Sequence, residues 1–242
     1  MRILLITAAI LPLAACHANW DKHDGHQAKP SGVAATRSYD VNGFTGVDLR
    51  GSDDVDVAVG PAFSVKAEGD SALLEELEIT VSNGTLRIGR KGHDGWNWSN
   101  SDQGLRIHVT MPSINSASVA GSGDLKVDRT SGSFKGAIGG SGNLTVAAIG
   151  GGDVDLAIGG SGDLTVSGTA ARLSASVAGS GDIDAKGLTA TSASVSVVGS
   201  GNITATVNGN AAVNIAGSGD VDLGGGAKCA ISAVGSGEAH CG

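Results

Sequence analysis

Along the second half of the chain, aliphatic residues keep fixed distances from a repeated tetrapeptide. The tetrapeptide appears as Gly121-Ser-Gly-Asp124, Gly140-Ser-Gly-Asn143, Gly160-Ser-Gly-Asp163, Gly179-Ser-Gly-Asp182, Gly199-Ser-Gly-Asn202, Gly217-Ser-Gly-Asp220 and Gly235-Ser-Gly-Glu238. Its first glycines are 19, 20, 19, 20, 18 and 18 residues apart. Two residues before each stand Val119, Ile138, Ile158, Val177, Val197, Ile215 and Ala233, and four before stand Ala117, Gly136, Leu156, Ala175, Val195, Val213 and Ile231. Four after come Leu125, Leu144, Leu164, Ile183, Ile203, Val221 and Ala239; six after come Val127, Val146, Val166, Ala185, Ala205, Leu223 and Cys241. Side chains alternate faces along a strand, so these four columns share one face. The intervening Ser, Thr, Asn, Asp and Lys residues take the other. A period of about 19 residues with this parity predicts an all-β fold: a parallel β-solenoid (β-helix) whose strands pair with their equivalents one turn later. An imperfect copy, Gly150-Gly-Gly-Asp153, falls at the half-period and suggests two similar strand–turn units per turn.

Residues 37–112 carry a different pattern. Val55, Val57 and Val59 alternate with Asp56 and Ala58, as in a half-buried strand. Strands are expected over 44–49, 54–59, 62–66, 79–81, 85–88 and 105–111. Asn83-Gly84 carries the signal of a tight hairpin. Asp70 is placed to cap a short helix through Leu77. Gly51-Ser-Asp-Asp54 reads as an early, degenerate relative of the repeat. The chain divides into a leader (1–16), a polar tether (17–36), a strand-rich part with one short helix (37–112) and the glycine-rich solenoid (113–242).

Composition narrows the core. Forty glycines stand among 242 residues, 12 before residue 121 and 28 from residue 121 onward, while aromatics are only 3%. Collagen would need glycine every third residue and abundant proline, and a helical bundle would lose about 1 kcal/mol at each interior glycine. A thin core of Ala, Val, Leu and Ile is what this composition supplies. The net charge of −8 argues against nonspecific nucleic-acid binding.

The N-terminus is an address. An apolar run from Ile3 to Leu13 is too short to cross a membrane but fits a signal-peptide core. It ends in Leu13-Ala14-Ala15-Cys16, which resembles the bacterial lipobox and implies lipidation at Cys16. His17 follows where an aspartate would favour the inner membrane, so the outer membrane is expected. Cleavage near Ala18, giving a soluble periplasmic product, is the alternative. The lipid would be the membrane attachment. Export places Cys229 and Cys241 in an oxidising compartment, where a disulfide is expected. They stand six residues either side of Gly235, on facing walls of the last turn.

Residues 39–60, 65–91 and 105–127 resemble, in that order, the bacterial head GIN domain family of auto-transporter adhesins. The resemblance covers about 37–242 and implies an exported, often lipid-anchored β-helical domain. It carries over no catalytic residues, and the chain lacks the long passenger and membrane barrel of a true autotransporter.

The candidate chemistry is sparse. The acidic or amide residue of each motif suits hydrogen bonding at the turn, because Asn replaces Asp in two copies without loss of an acceptor. A calcium site shared by Asp163, Asp182 and Asp220 is the competing reading. The pairs Asp153/Asp155, Asp182/Asp184 and Asp220/Asp222 raise the possibility of a glycan-cleaving β-helix, since glycosidases use paired carboxylates. His17, His23 and His26 with Asp21 and Asp24 read as solvated tether. Trp96 and Trp98, in the polar stretch 92–104, are the candidate binding surface, with capping of the solenoid core as the alternative. No cofactor is expected. The function expected is that of a non-catalytic, adhesin-like module binding an envelope protein, glycan or surface, with a glycan-cleaving enzyme or a structural or stress-related envelope protein as alternatives.

Overall fold

The computed structural model describes residues 34–91 and 104–242. Ten strands and one helix come first along the described residues. These are β1 (Ala34–Tyr39), β2 (Gly46–Gly51), β3 (Asp54–Val59), β4 (Ser64–Asp70), α1 (Ser71–Glu76), β5 (Leu77–Ser82), β6 (Thr85–Arg90), β7 (Arg106–Met111), β8 (Ser116–Gly121), β9 (Asp124–Val127) and β10 (Thr130–Ser131). Then follow β11 (Phe134–Ile138), β12 (Asn143–Gly150), β13 (Asp153–Gly160), β14 (Leu164–Gly179), β15 (Ile183–Gly199), β16 (Ile203–Val207), β17 (Asn210–Gly217), β18 (Val221–Gly224), β19 (Lys228–Gly235) and β20 (Ala239–Cys241).

These strands stack into a parallel β-solenoid. Strands entering the motif form one wall, in the spatial order β5, β6, β2, β8, β11, β13, the second halves of β14 and β15, β17 and β19. Strands leaving the motif form a second wall, in the order β1, β4, β7, β3, β9, β12, the first halves of β14 and β15, β16, β18 and β20. Pairing is parallel throughout, apart from β1–β4, β4–β7 and β5–β6, which are antiparallel. The four predicted columns point into the space between the walls and are buried through Leu223 and Ile215. Small aliphatics fill it because facing walls leave room for only one or two side chains.

Each turn differs from the expected two equal units. After the second wall the chain makes a third, short paired run: Thr130–Ser131 lies on Ile149–Gly150, then on Gly168–Thr169, then on Leu188–Thr189. Gly150-Gly-Gly-Asp153 is the corner between that run and the next first-wall strand, with Gly151 and Gly152 at φ of 86° and 83°. It therefore belongs to a separate edge of the coil, and the half-period similarity reflects only a shared need for a glycine turn. The 18- to 20-residue variation is absorbed around the third run, where register shifts occur between Val146 and Ile149, Thr165 and Ser167, and Ala185 and Thr189.

The boundary near residue 112 marks no gap in the fold. The β2–β3 arc lies between β6–β7 on one side and β8–β9 on the other. Gly51 is in register with Gly121, so Gly51-Ser-Asp-Asp54 is a stacked member of the motif column. The chain thus lays down the β2–β3 arc, passes below it to build the end of the rod, and only then adds turns above it.

That end is closed. Asp70 caps α1 by accepting from the Ala72 amide at 2.8 Å, and Leu74 and Leu77 are buried against the core. The β5–β6 hairpin turns at Asn83 and Gly84 with φ of 52° and 74°, the left-handed pair that a two-residue turn needs. Strand β1 begins at Ala34, inside the segment assigned to the tether. It is mostly exposed and pairs with β4 through its backbone, so no hydrophobic alternation announces it. Phe44 and Phe63 meet near this end with ring centroids 4.8 Å apart. Among the described residues no helix is long and apolar enough to cross a membrane.

At the motif corner the backbone of one turn rests on the next. Gly160 has φ of 151°, and a Cβ there would collide with the Gly140 carbonyl oxygen, whereas a Cβ on Gly139 meets nothing within 4 Å. We predict that Gly160→Ala lowers stability by about 2 kcal/mol or more, while Gly139→Ala changes it by less than about 0.5 kcal/mol. Urea denaturation of the two variants checks this; equal effects would contradict it.

Candidate functional site

The motif corners form a ladder with two sets of bonds. The carbonyl of each first glycine accepts from both the serine and the second-glycine amides one turn on. Ser141 and Gly142 donate to Gly121 at 2.9 Å each, and Ser161 and Gly162 to Gly140 at 2.9 and 3.1 Å. Beside this runs a side-chain ladder. The Asp163 amide donates to Asn143 Oδ1, Asp182 to Asp163, Asn202 to Asp182, Asp220 to Asn202 and Glu238 to Asp220, at 2.7–3.1 Å. The acceptor thus serves the neighbouring turn instead of its own, and Asp and Asn do so equally well. Asp163, Asp182 and Asp220 all belong to this ladder and are exposed. Among the described residues no group of three His, Cys, Asp or Glu side chains is arranged to hold a metal ion.

At the first corner the pattern changes. Asp53 occupies the place of the second glycine and is fully buried, with 0% exposure. Its Oδ1 accepts from Arg90 Nη2 at 2.6 Å and from the Leu105 amide at 2.9 Å. Arg90 and Leu105 flank the segment 92–103, so one carboxylate ties both of its ends to the solenoid. Removing one partner of a buried ion pair strands the other and is far costlier than losing an exposed one. Trp96 and Trp98 belong to that segment and, like Cys16, lie outside the described residues.

Cys229 and Cys241 form a disulfide with a Cα–Cα separation of 6.4 Å, joining β19 to β20 across the last turn. The pair Asp182/Asp184 is spread along the second wall, with Asp184 accepting from the Lys186 amide and Thr204 Oγ1. Asp222 faces outward between Thr204 and His240 in register.

Asp153 and Asp155 have a different setting. They line an open cleft of about 620 Å³ together with Lys135, Arg172, Ser133 and Ser174. Lys135 is in register with Asp155 one strand away, and Arg172 Nη1 lies 3.5 Å from Asp153 Oδ2. Both members of that ion pair are largely exposed, so it orients the groups more than it stabilises the fold. The cleft offers donors and acceptors side by side, an arrangement suited to hydroxyl-bearing ligands. Toward the C-terminal end the first wall has no charge after Arg172 until Lys228, presenting Ser176, Ser194, Ser196, Asn214 and Ser232, whereas the second wall there carries Asp184 and Asp222.

Lys135 and Arg172 are functional candidates that the sequence analysis does not name. Extending the motif offsets would have found the cleft, because Lys135 and Asp155 both stand five residues before a motif glycine, and Asp153 and Arg172 seven before. Asp53 was likewise visible only as a departure from the repeat.

These features define the class: a parallel β-solenoid closed at its N-terminal end, with a polar cleft on one wall. The family model described as "Putative auto-transporter adhesin, head GIN domain" matches residues 43–227. The chain belongs to this family. Its fold is also that of several solved proteins. A "putative adhesin" from Bacteroides fragilis has a TM-score of 0.75 at 21% identity, covering 87% of this chain and 98% of its own. A "putative lipid binding protein" from Parabacteroides distasonis has a TM-score of 0.66 at 23% identity, with 88% and 98% covered. A "putative adhesin" from Parabacteroides merdae has a TM-score of 0.66 at 17% identity, with 86% and 97% covered. No curated protein matches the chain.

The two acidic roles predict different sensitivities. Asp163→Asn keeps the acceptor and leaves stability unchanged, whereas Asp163→Ala costs about 1 kcal/mol. Asp53→Ala costs about 3–5 kcal/mol, because Arg90 loses its buried partner and keeps only the exposed Glu76 at 4.0 Å. Thermal melts are the same in calcium and in chelator. A chelator-dependent drop, or an Asp163→Asn loss equal to that of Asp163→Ala, would replace the hydrogen-bond ladder with a cation site.

Proposed function

We propose that this protein is a non-catalytic, adhesin-like module of the cell envelope, exported and held at the outer membrane by a lipid on Cys16, that binds a hydroxyl-rich envelope component such as a glycan. The cleft of Asp153, Asp155, Lys135 and Arg172 carries this reading. It places paired donors and acceptors on a rigid wall, with serines around them, and its carboxylates have cationic neighbours. Membership of an adhesin-named family supports the same role, as does a scaffold whose walls are held turn by turn and so present a preorganised surface.

One observation favours a second reading. Asp153 and Asp155 share the cleft with two cations, as acidic residues do in glycan-cleaving β-helices. Hydrolysis needs one carboxylic acid kept protonated by burial, opposite a second carboxylate. Asp153 is exposed, so binding is the better match.

The test is capture of cell-envelope glycans by the wild type and by an Asp155→Ala/Arg172→Ala variant, with a palmitate analogue supplied during growth. The proposal expects at least tenfold weaker capture by the variant at unchanged melting temperature, no glycan fragments, and label that disappears in Cys16→Ser. Undiminished capture would remove the cleft from the account. Fragments that depend on Asp155 would turn the binding module into an enzyme, and absence of label would remove the anchor.

A further inference from the structure

The two ends of the rod are built differently. At the N-terminal end, β1, β4, β5 and α1 cover the core, and Leu74 is 1% exposed. At the C-terminal end, β19 pairs with β17 and β20 with β18, and among the described residues no strand lies beyond them. Ile231 continues the column of Val195 and Val213, which are buried, yet is itself 50% exposed; Val234 is 74% exposed.

An open strand edge is a template for another strand, and proteins ordinarily guard such edges with proline, inward-pointing charge, a bulge or a very short strand. Strand β19 has none of these, and its one edge-guarding charge is Lys228 at the strand's start. It is eight residues long and keeps unbroken register with β17. The disulfide holds β19 to β20 and so keeps the end preformed. The charge pattern also favours this end. Residues 225–242 contain Lys228 and Glu238 and are neutral, while the chain as a whole carries −8. Two copies meeting here avoid the repulsion that the acidic second wall would impose.

We propose that the C-terminal end is a homophilic contact, at which β19 pairs antiparallel with β19 of a second copy about a two-fold axis. A two-fold contact uses the same patch on both copies and is closed by its own symmetry, so association stops at a dimer and does not run on into a fibre. Side-chain parity restricts the register, because inward residues must oppose inward residues. A two-fold axis at Ile231 meets this condition. It sets Ile231 against its own copy and Cys229 against Ala233, and lays the stem of Lys228 beside Val234 of the other chain. The contact is small, at the low end of specific interfaces, so a single pair is weak, and arrays of rods gain strength through multivalency. Residue 34 enters the rod at the closed end, which leaves the open end distal to the N-terminal segment. The biological meaning, contact between facing anchored molecules, rests on the envelope-binding proposal, but the pairing itself does not.

Sedimentation of the full chain carrying Cys16→Ser, so that no lipid adds its own association, tests this. A reversible dimer with a Kd of order 1–100 μM is expected, together with concentration-dependent protection of the β19 amides from hydrogen exchange. Val234→Glu, at an already exposed position, should weaken the dimer at least tenfold with no change in melting temperature; Ile231→Lys should do the same. A wild type that stays monomeric across that range overturns the proposal, as does a dimer unaffected by Val234→Glu or a series of larger oligomers. Glycan capture by the Val234→Glu monomer should persist, so failure here and failure of the cleft are read separately.

Discussion

The constraint on which this protein depends is the contact between consecutive motif corners. The carbonyl of one glycine receives two amides from the next turn, and the backbones come so close that an added Cβ at Gly121, Gly140, Gly160, Gly179, Gly199, Gly217 or Gly235 would strike the glycine carbonyl below. Glycine is required there because of the approach, and its freedom at positive φ permits the turn itself. With this edge pinned, every side chain on the adjoining walls acquires a fixed parity. The aliphatic columns then fall inside, and the Asp/Asn ladder follows along the outside as a second set of inter-turn bonds. Irregularity is displaced to the third run, where turns of different length change register without disturbing the corner.

The same constraint explains the singular first corner. Asp53 replaces the second motif glycine where the succession of short turns is interrupted by residues 91–104. Its buried carboxylate takes the Leu105 amide and the Arg90 guanidinium, so the corner that cannot use backbone contacts alone is held by charge. Lys135, Asp155 and Arg172 of the polar cleft lie on the same wall as β2, two to four strands further along the stack.

Much of this was legible from residue spacing because a solenoid repeats its long-range contacts at a constant sequence interval. The offsets from the motif glycines predict the buried columns, Asn83-Gly84 the hairpin, and Asp70 the helix cap. The interleaving of β6–β7, β2–β3 and β8–β9 was not legible. Residues 46–59 pair on one side with residues 85–88 and 106–111 and on the other with residues 116–121 and 125–127, an order that no local periodicity encodes. The three-sided turn was hidden for a related reason, since Gly150–Asp153 resembles the motif in composition while occupying another edge. The cleft was missed because offsets were followed only as far as the apolar columns, and the open end because column membership says which way Ile231 points but not what covers it. Asp53 shows the converse: a departure from the repeat marked the one corner with its own chemistry.

A rod closed at one end, with a charged cleft and a serine-rich stretch on one wall and acidic residues on another, is well suited to presenting surfaces, and its family membership points the same way. All of this rests on the glycine corners acting as the permanent spine of the stack. Native-state hydrogen exchange at the motif serine amides tests that most directly. Ser141, Ser161, Ser180 and Ser200 have exposed side chains, yet their amides bond to the preceding glycine carbonyl at 2.9 Å. The account predicts that these amides exchange only on global unfolding, together with the core strands. Exchange at the rate of an open loop, while the walls stay protected, would show that the strands hold the stack and the corners merely follow.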